Sequence, residues 1–434
     1  MSITFIGILG IAALLLIIFV LGTPVSFAMA IVGFIGFCCI TSLDAGMNMV
    51  GSSLWNSYSK YGFTLIPLFI LMGQIVFHSG VNKRLYDTAH KLIGHIHGGL
   101  AMATISACAA FAAICGSNTA TAATMTTVAF PEMCKYNYNK RLSLGAIACG
   151  STLGVVIPPS VVLIIIGLST EQSVSKLFYG GIGAGIFLTA SFLLTAWVIC
   201  KVKPGWGPSG PKYSLKERLK SLAGAYEMIT LFLLVIIGLY MGIFTPTEAG
   251  AVGSFLAILI GFIQKNLSIK GFLNALKETL RASCMVITII AGSVIFGKFL
   301  AVTRIPYDLA SWVVDLPVNP TVIMLVIFLI YIAGGAIMDA LGLLLITMPI
   351  FFPVAEKLGY DPLWFGVIIT VITTLGAITP PVGATTYIVG GMAKDSSLKD
   401  AFRGVAYFIP AYAAAIIAMM LSPKIITFLP SLMK

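Results

Sequence analysis

Thr152-Leu153-Gly154 is followed by Pro158-Pro159, and 222 residues later Thr374-Leu375-Gly376 is followed by Pro380-Pro381. Both copies lie inside long apolar stretches. In hydrocarbon an unpaired backbone N–H or C=O costs several kcal/mol. Glycine and paired prolines are therefore tolerated at membrane depth only where the backbone is buried in protein or lines a wet cavity. The chain must accordingly fold as helices that break inside a protein-lined space. Matched breaks in two halves of a membrane chain point to the central binding site of a transporter.

Composition fixes the solvent. The 434 residues are 59% hydrophobic and 9% charged, with a mean hydropathy of +1.03, which excludes a soluble globule. The first apolar run, Ile3 to Leu21, has no basic leader and no A-x-A-like end, so it reads as a retained span. The net charge of +11 is assigned to cytoplasmic loops, not to nucleic-acid contact. The eight cysteines form no CxxC pair and read as small packing residues without a disulfide framework. His90, His95 and His97 share one linker, but no thiol or carboxylate completes a tetrahedral metal set. No Walker loop, HExxH or GxSxG motif occurs, so neither ATP hydrolysis nor another enzyme activity is expected. An ion gradient remains as the energy source, at about 2.3 kcal/mol per charge per 100 mV.

At 1.5 Å rise per residue a span needs about 20 apolar residues. Ten crossings are predicted, at about 3–21, 24–43, 62–79, 141–170, 177–201, 224–244, 246–264, 283–301, 362–393 and 404–431. Residues 99–133 are interrupted by Gly116-Ser117-Asn118-Thr119, and 320–354 by Gly334-Gly335 and Asp339. Arms of about 15 residues are too short to cross comfortably, so both segments read as re-entrant hairpins. At the 222-residue offset Thr23-Pro24 also matches Thr245-Pro246, Phe130-Pro131 matches Phe352-Pro353, and Tyr138 matches Tyr360. The fold class is thus an all-α polytopic membrane protein built as an inverted repeat, 1–200 and 223–434, around a basic, proline-rich linker at 201–222.

Five crossings per repeat invert the second copy, and charge agrees. With the N-terminus outside, cytoplasmic loops receive 19 of the 26 Lys and Arg, the pattern of the positive-inside rule. Both termini are then periplasmic. The first hairpin opens from the cytoplasm, and the second, flanked by Asp308, Asp315, Glu356 and Asp361, opens from the other face. Within the arm at 80–98, Val81, Leu85, Ala89, Leu92 and Ile96 make an amphipathic helix over 81–96 lying at the interface, and 268–282 is expected to form another.

Hairpin tips and broken helices would converge near mid-bilayer. Unwound carbonyls and small hydroxyl groups suit a hard cation such as Na⁺, and helix N-termini suit an anion. The cation ligands expected are Ser117 and Asn118 with Gly150, Thr152, Gly154 and Pro158. The related set in the second half is Gly335, Thr373, Thr374, Gly376 and Thr379. Thr119 completes the first tip as a substrate contact. Asp339 is a carboxylate within a membrane segment and is assigned to substrate binding or ion coupling, since such a charge is costly. Glu248 reads as a helix cap and Lys298 as a snorkelling side chain.

The motifs GSNTATAA and FPEM of the first hairpin, GSTLGVVIPPS, FTPTEAGAVG and TTLGAITPPVG together resemble the large membrane subunit of the tripartite ATP-independent periplasmic (TRAP) transporters, over essentially all 434 residues. The resemblance implies an elevator mechanism in which both hairpins and both broken helices slide against a scaffold. It implies coupling to two or more Na⁺ in the bacterial inner membrane. It implies two partners, a periplasmic substrate-binding protein and a small four-helix membrane subunit, here expected as a separate chain. The implied cargo is an organic acid anion, such as a C4-dicarboxylate, sialic acid or a sulfonate. By motif it also places substrate contacts at Ser151 and Ser160 beside Asp339. A stand-alone ion-coupled carrier or antiporter of related architecture is the alternative; an intramembrane enzyme or a passive channel ranks below both.

Overall fold

The computed structural model describes residues 3–433 apart from 223 and 225, and of 227 and 228 the backbone alone. The expected repeat limits at residues 1, 223 and 434 lie outside the described residues. Among the described residues there is no strand. The first half runs α1 (Ile3–Leu21), α2 (Val25–Ile40), α3 (Leu43–Ser59), α4 (Leu65–His78), α5 (Val81–Ile93), α6 (Gly99–Cys115), α7 (Asn118–Lys135), α8 (Lys140–Ser151), α9 (Val161–Ser169) and α10 (Val174–Val202). The linker holds α11 (Leu215–Leu222). The second half runs α12 (Tyr226–Tyr240), α13 (Pro246–Ile263), α14 (Ile269–Thr303), α15 (Ile305–Asp315), α16 (Pro320–Gly335), α17 (Ala340–Lys357), α18 (Pro362–Gly376), α19 (Ala384–Met392), α20 (Leu398–Ala406), α21 (Ile409–Leu421) and α22 (Lys424–Ser431). Helix starts recur at the offset of the sequence motif: α7 and α17 begin at 118 and 340, and α8 and α18 at 140 and 362, 222 apart in each case.

Local chemistry sets these boundaries. Ser42, Asn139, Ser173 and Asp361 cap the helices they precede, each side chain accepting an N–H of the first turn. Thr245 and Glu248 form a reciprocal capping box at the start of α13, with Thr245 N donating to Glu248 Oε2 at 2.8 Å. Pro349 inside α17 removes the N–H that would serve the Leu345 carbonyl. Ser293 of α14 replaces that donor, its hydroxyl donating to Leu345 O at 2.9 Å.

Helix α14 lies against α2, α3 and α4, and α13 against α4, forming one packed group. The α2–α14 approach is close: a Cβ at Gly33 would fall 2.8 Å from the Phe296 backbone N, the small-residue contact that membrane helices favour. A second group gathers α6, α7, α8 and α10 with α18 and α20. Much of the protein's largest buried apolar cluster lies within it, including Phe111, Ile147, Phe178 and Phe365.

Six helices among the described residues are long and apolar enough to cross a membrane, or seven with the bent pair α20 and α21 taken as one. Four expectations change. Residues 268–282 are no separate amphipathic helix but the start of the 35-residue α14, because neither Pro nor a Gly pair interrupts them. Residues 44–59, which lie between the predicted crossings 24–43 and 62–79, belong to a further helix, α3, capped by Ser42. The single crossing at 404–431 is three helices, cut near Pro410 and Pro423, with a 43° bend between the first two. The hairpin arms are also longer than about 15 residues: α6 has 17, α7 18, α16 16 and α17 18.

Candidate functional site

The tip joining α6 to α7 and the start of α17 face one cavity of about 160 Å³, closed by α4, α9 and α14. Its polar wall is Ser117, Asn118, Thr119, Gln74 and Asp339. The tip turns on Gly116, whose φ of +61° suits glycine. Ser117 caps α7, its Oγ accepting from Ala120 N at 3.4 Å and lying 3.1 Å from Thr119 Oγ1. Asp339 caps α17, a carboxylate oxygen accepting from Leu341 N at 3.0 Å. Residue 339 stands 222 positions after 117, so the costly carboxylate occupies the same cap position as Ser117. The two caps thus share a wall.

Asn118 carries the most pointed feature of this wall. It is 7% exposed, and its Oδ1 is buried without a hydrogen-bond partner. Buried polar atoms normally find partners. Beside it, a Cβ at Gly154 would fall 2.6 Å from Ser117 O and 3.0 Å from Asn118 N. Gly154 therefore lets the broken helix touch the tip backbone, and Ser117, Asn118 and Gly154 form one cluster of oxygens and amides. Such a neutral oxygen set suits a hard monovalent cation. No group of three or more His, Cys, Asp or Glu able to hold a metal occurs among the described residues.

The second half makes a comparable contact. A Cβ at Gly335 would lie 2.6 Å from Thr373 O, and one at Gly376 2.6 Å from Ile332 O. Gly335, Thr373 and Gly376 are thus brought together where α16 meets α18. Thr373 Oγ1 donates to Ile369 O at 2.7 Å, and Thr379 Oγ1 to Gly376 O at 2.9 Å. Thr374 sits apart, joined to Thr152 of the first half by a residue sequence reasoning missed. The fully buried hydroxyl of Tyr412 in α21 lies 2.5 Å from Thr374 Oγ1 and donates to Thr152 Oγ1 at 3.2 Å. Thr152 Oγ1 in turn donates to Cys149 O at 2.6 Å.

The remaining residues lie off the cavity. Gly150 packs on Cys108, where an added Cβ would come within 3.0 Å. Ser151 donates to Ile147 O and Ser160 to Val155 O, both at 2.6 Å, and both residues are fully buried. Pro158 is buried beside α10, near Gly181. Both Pro–Pro peptide bonds are cis.

These elements define an all-helical polytopic membrane protein whose two halves each contribute a helix–turn–helix tip and a broken helix. The chain belongs to the family described as "Tripartite ATP-independent periplasmic transporter, DctM component", whose model matches residues 12–425. It is 34% identical over 376 residues to the C4-dicarboxylate TRAP transporter large permease protein DctM of Pseudomonas aeruginosa, covering 84% of this chain and 88% of that protein. It is 30% identical over 412 residues to the sialic acid TRAP transporter large permease protein SiaM of Vibrio cholerae, covering 95% of each. Its fold is similar to that of the YdaH transporter of Alcanivorax borkumensis, with a TM-score of 0.62 at 13% identity, covering 89% and 88% of the two chains.

Proposed function

We propose that this chain is the membrane permease of a Na⁺-coupled, binding-protein-dependent importer of organic acid anions in the bacterial inner membrane. The observation that carries the reading is the unpartnered, buried Asn118 Oδ1 beside Ser117 and Gly154, in a cavity shared with Asp339. A buried lone oxygen with neutral oxygen neighbours is a ligand for a cation such as Na⁺. The cargo anion binds in the same cavity, held by the N-terminal N–H groups of α7 and α17 and by Thr119. The cargo belongs to the class named for the relatives, C4-dicarboxylates or sialic acid.

In this reading the halves are inverted copies, α6–α7 and α16–α17 are re-entrant, and the tips move as a body against the α2–α4 and α13–α14 wall. Both termini are periplasmic. The partners are a small four-helix membrane subunit and a periplasmic binding protein. Reconstitution of the three proteins into liposomes under an imposed Na⁺ gradient tests it, with labelled succinate or sialic acid as cargo. Uptake that follows the Na⁺ gradient is expected; uptake unchanged without Na⁺ would reject the coupling. A stand-alone carrier, the second reading, predicts uptake without the binding protein.

A further inference from the structure

A second, larger cavity of about 460 Å³ is lined by three helices of the Asp339 cavity, α9, α14 and α17, displaced along each of them, and by the end of α3 and the turn that leads into α4. On α17 the Asp339 cavity reaches Leu341 and the second begins at Leu345; on α14 the corresponding residues are Val286 and Ile290. Four residues on each helix correspond to about 6 Å. On α9 the step is from Val162 to Leu168, and Ile70 of α4 is replaced by Phe63 in the 3-10 turn that precedes α4. Between the two cavities those helices bury Ile66, Ile164, Ile165 and Leu344. The two spaces are therefore neighbouring openings of one seam, separated by an apolar layer.

Their charges differ. The Asp339 cavity has no Lys, Arg or His on its wall. The second cavity has Lys60, with Asn56, Ser57 and Thr170 as neutral polar neighbours and Glu171 as its carboxylate. Lys60 and Glu171 form no ion pair, and the contact made by the Lys60 ammonium is with the Phe63 ring, 5.7 Å to its centroid. Lys60 lies between α3 and α4 of the first packed group and Glu171 between α9 and α10, the latter in the second group, so cation and carboxylate face the seam from its two sides. A volume of this size holds a small organic acid.

We propose that the Lys60 cavity is a second station for the transported anion, in which the Lys60 ammonium neutralises a cargo carboxylate before the tips carry it across the apolar layer. The inference rests on the reading of the chain as an organic-anion permease. It assigns the positive charge to the fixed wall and leaves the moving tips neutral or acidic. The anion is thus attracted to the seam without being carried by a group that would hold it after passage.

The test uses the complete three-protein complex in liposomes at fixed Na⁺, with labelled succinate and sialic acid. Lys60→Gln should raise the half-saturating concentration about fivefold, the size of one partly exposed charge contact, with the maximal rate retained. Lys60→Arg should stay near the unmodified protein. Co-sedimentation of the binding protein with the vesicles should be unchanged in Lys60→Gln. Unaltered half-saturation in that variant overturns the inference. An equal loss of co-sedimentation also overturns it, because Lys60 would then serve protein docking. Uptake of neither acid by the unmodified complex is a separate result, which removes the permease reading and the station with it.

Discussion

The two TLGxxxPP segments share a sequence and differ in structure. In the first, Thr152–Val155 is a 3-10 turn and the backbone through Ser160 is almost wholly buried. In the second, Thr374 to Gly376 remain in α18, and Pro380, Pro381 and Val382 are exposed. The neighbours explain the difference. The first break is clamped between the tip at Ser117 and α10, where a Cβ at Gly181 would lie 2.6 Å from Val156 O. The second is held by Ala336 O, which accepts from the Val382 and Gly383 amides at 3.2 and 3.0 Å, and by Phe402 beside Gly383, while its Pro380–Val382 face stays open. A shared motif specifies that the helix breaks; tertiary contacts decide whether the break is sealed.

Cysteine labelling addresses that contrast most directly. Positions 160 and 382 correspond at the 222-residue offset, yet Ser160 is fully buried and Val382 is 44% exposed. With Cys38, Cys39, Cys134 and Cys284 replaced by Ser, Val382→Cys should react with a small maleimide at least about tenfold faster than Ser160→Cys. Labelling a buried thiol needs a local opening, and each 1.4 kcal/mol of opening costs a factor of ten. Equal rates would show that both breaks open alike.

The paired caps give the next largest effect. Asp339→Asn keeps a capping side chain, so the thermal midpoint should hold while uptake falls by about tenfold or more, the value of a lost charged contact. Ser117→Ala should instead lower stability by about 1 kcal/mol through the lost cap. Normal uptake by Asp339→Asn would reduce Asp339 to a structural cap. Below these in size come the glycines. Gly154→Ala and Gly376→Ala each force a Cβ to 2.6 Å from a backbone oxygen, an overpacking cost of about 1–3 kcal/mol. Gly376 is the last residue of α18, so Ala there regains only part of the roughly 1 kcal/mol propensity of a helix interior. Gly154 in its 3-10 turn has no such offset. Denaturation in detergent should therefore rank Gly154→Ala as the less stable variant.

The positions of the breaks and tips were legible because glycine, proline and small polar residues stand out in apolar sequence. Family membership was legible from the same motifs. Part of what escaped depended on partners distant in sequence, and part on helices with weak local signals. Tyr412 joins Thr152 to Thr374, yet its repeat position is Ala190, so internal comparison gives no hint of it. The equivalence of Asp339 and Ser117 was hidden because both residue types serve as caps while differing in charge. Helix α3 lay outside the predicted crossings because its polar Asn48, Ser52 and Asn56 break the apolar run a span needs, although Ser42, which accepts from Ala45 N at 3.2 Å, caps its start. The continuity of α14 was missed because its charged first turns resemble a surface helix; continuity depends on the absence of breakers, a weaker signal than their presence.

The smallest expected effect extends the comparison of the halves to the arm. His90 on α5 corresponds at the offset to Trp312 on α15, and Trp312 is 61% exposed while His90 is 8% exposed. The His90 ring lies 6.2, 5.5 and 5.9 Å from the rings of Tyr86, Tyr136 and Tyr213, and its Nε2 has no partner. Burial pushes the imidazole pKa below its usual 6.5, with Glu132 and Asp87 opposing and Lys91 assisting. A base with a lowered folded pKa is protonated first in the unfolded chain. Its contribution to stability is thus complete above the usual histidine value and is lost as pH falls below it. Tyr213 belongs to the linker, so the loss should loosen the linker from the arm. Hydrogen exchange at pH 7.5 and 5.5, corrected for intrinsic rates, should show α5 and the linker losing protection in acid while α15 keeps it. His90→Phe should abolish the difference between arm and mate, and an acid response that survives this substitution would assign the sensitivity to another group.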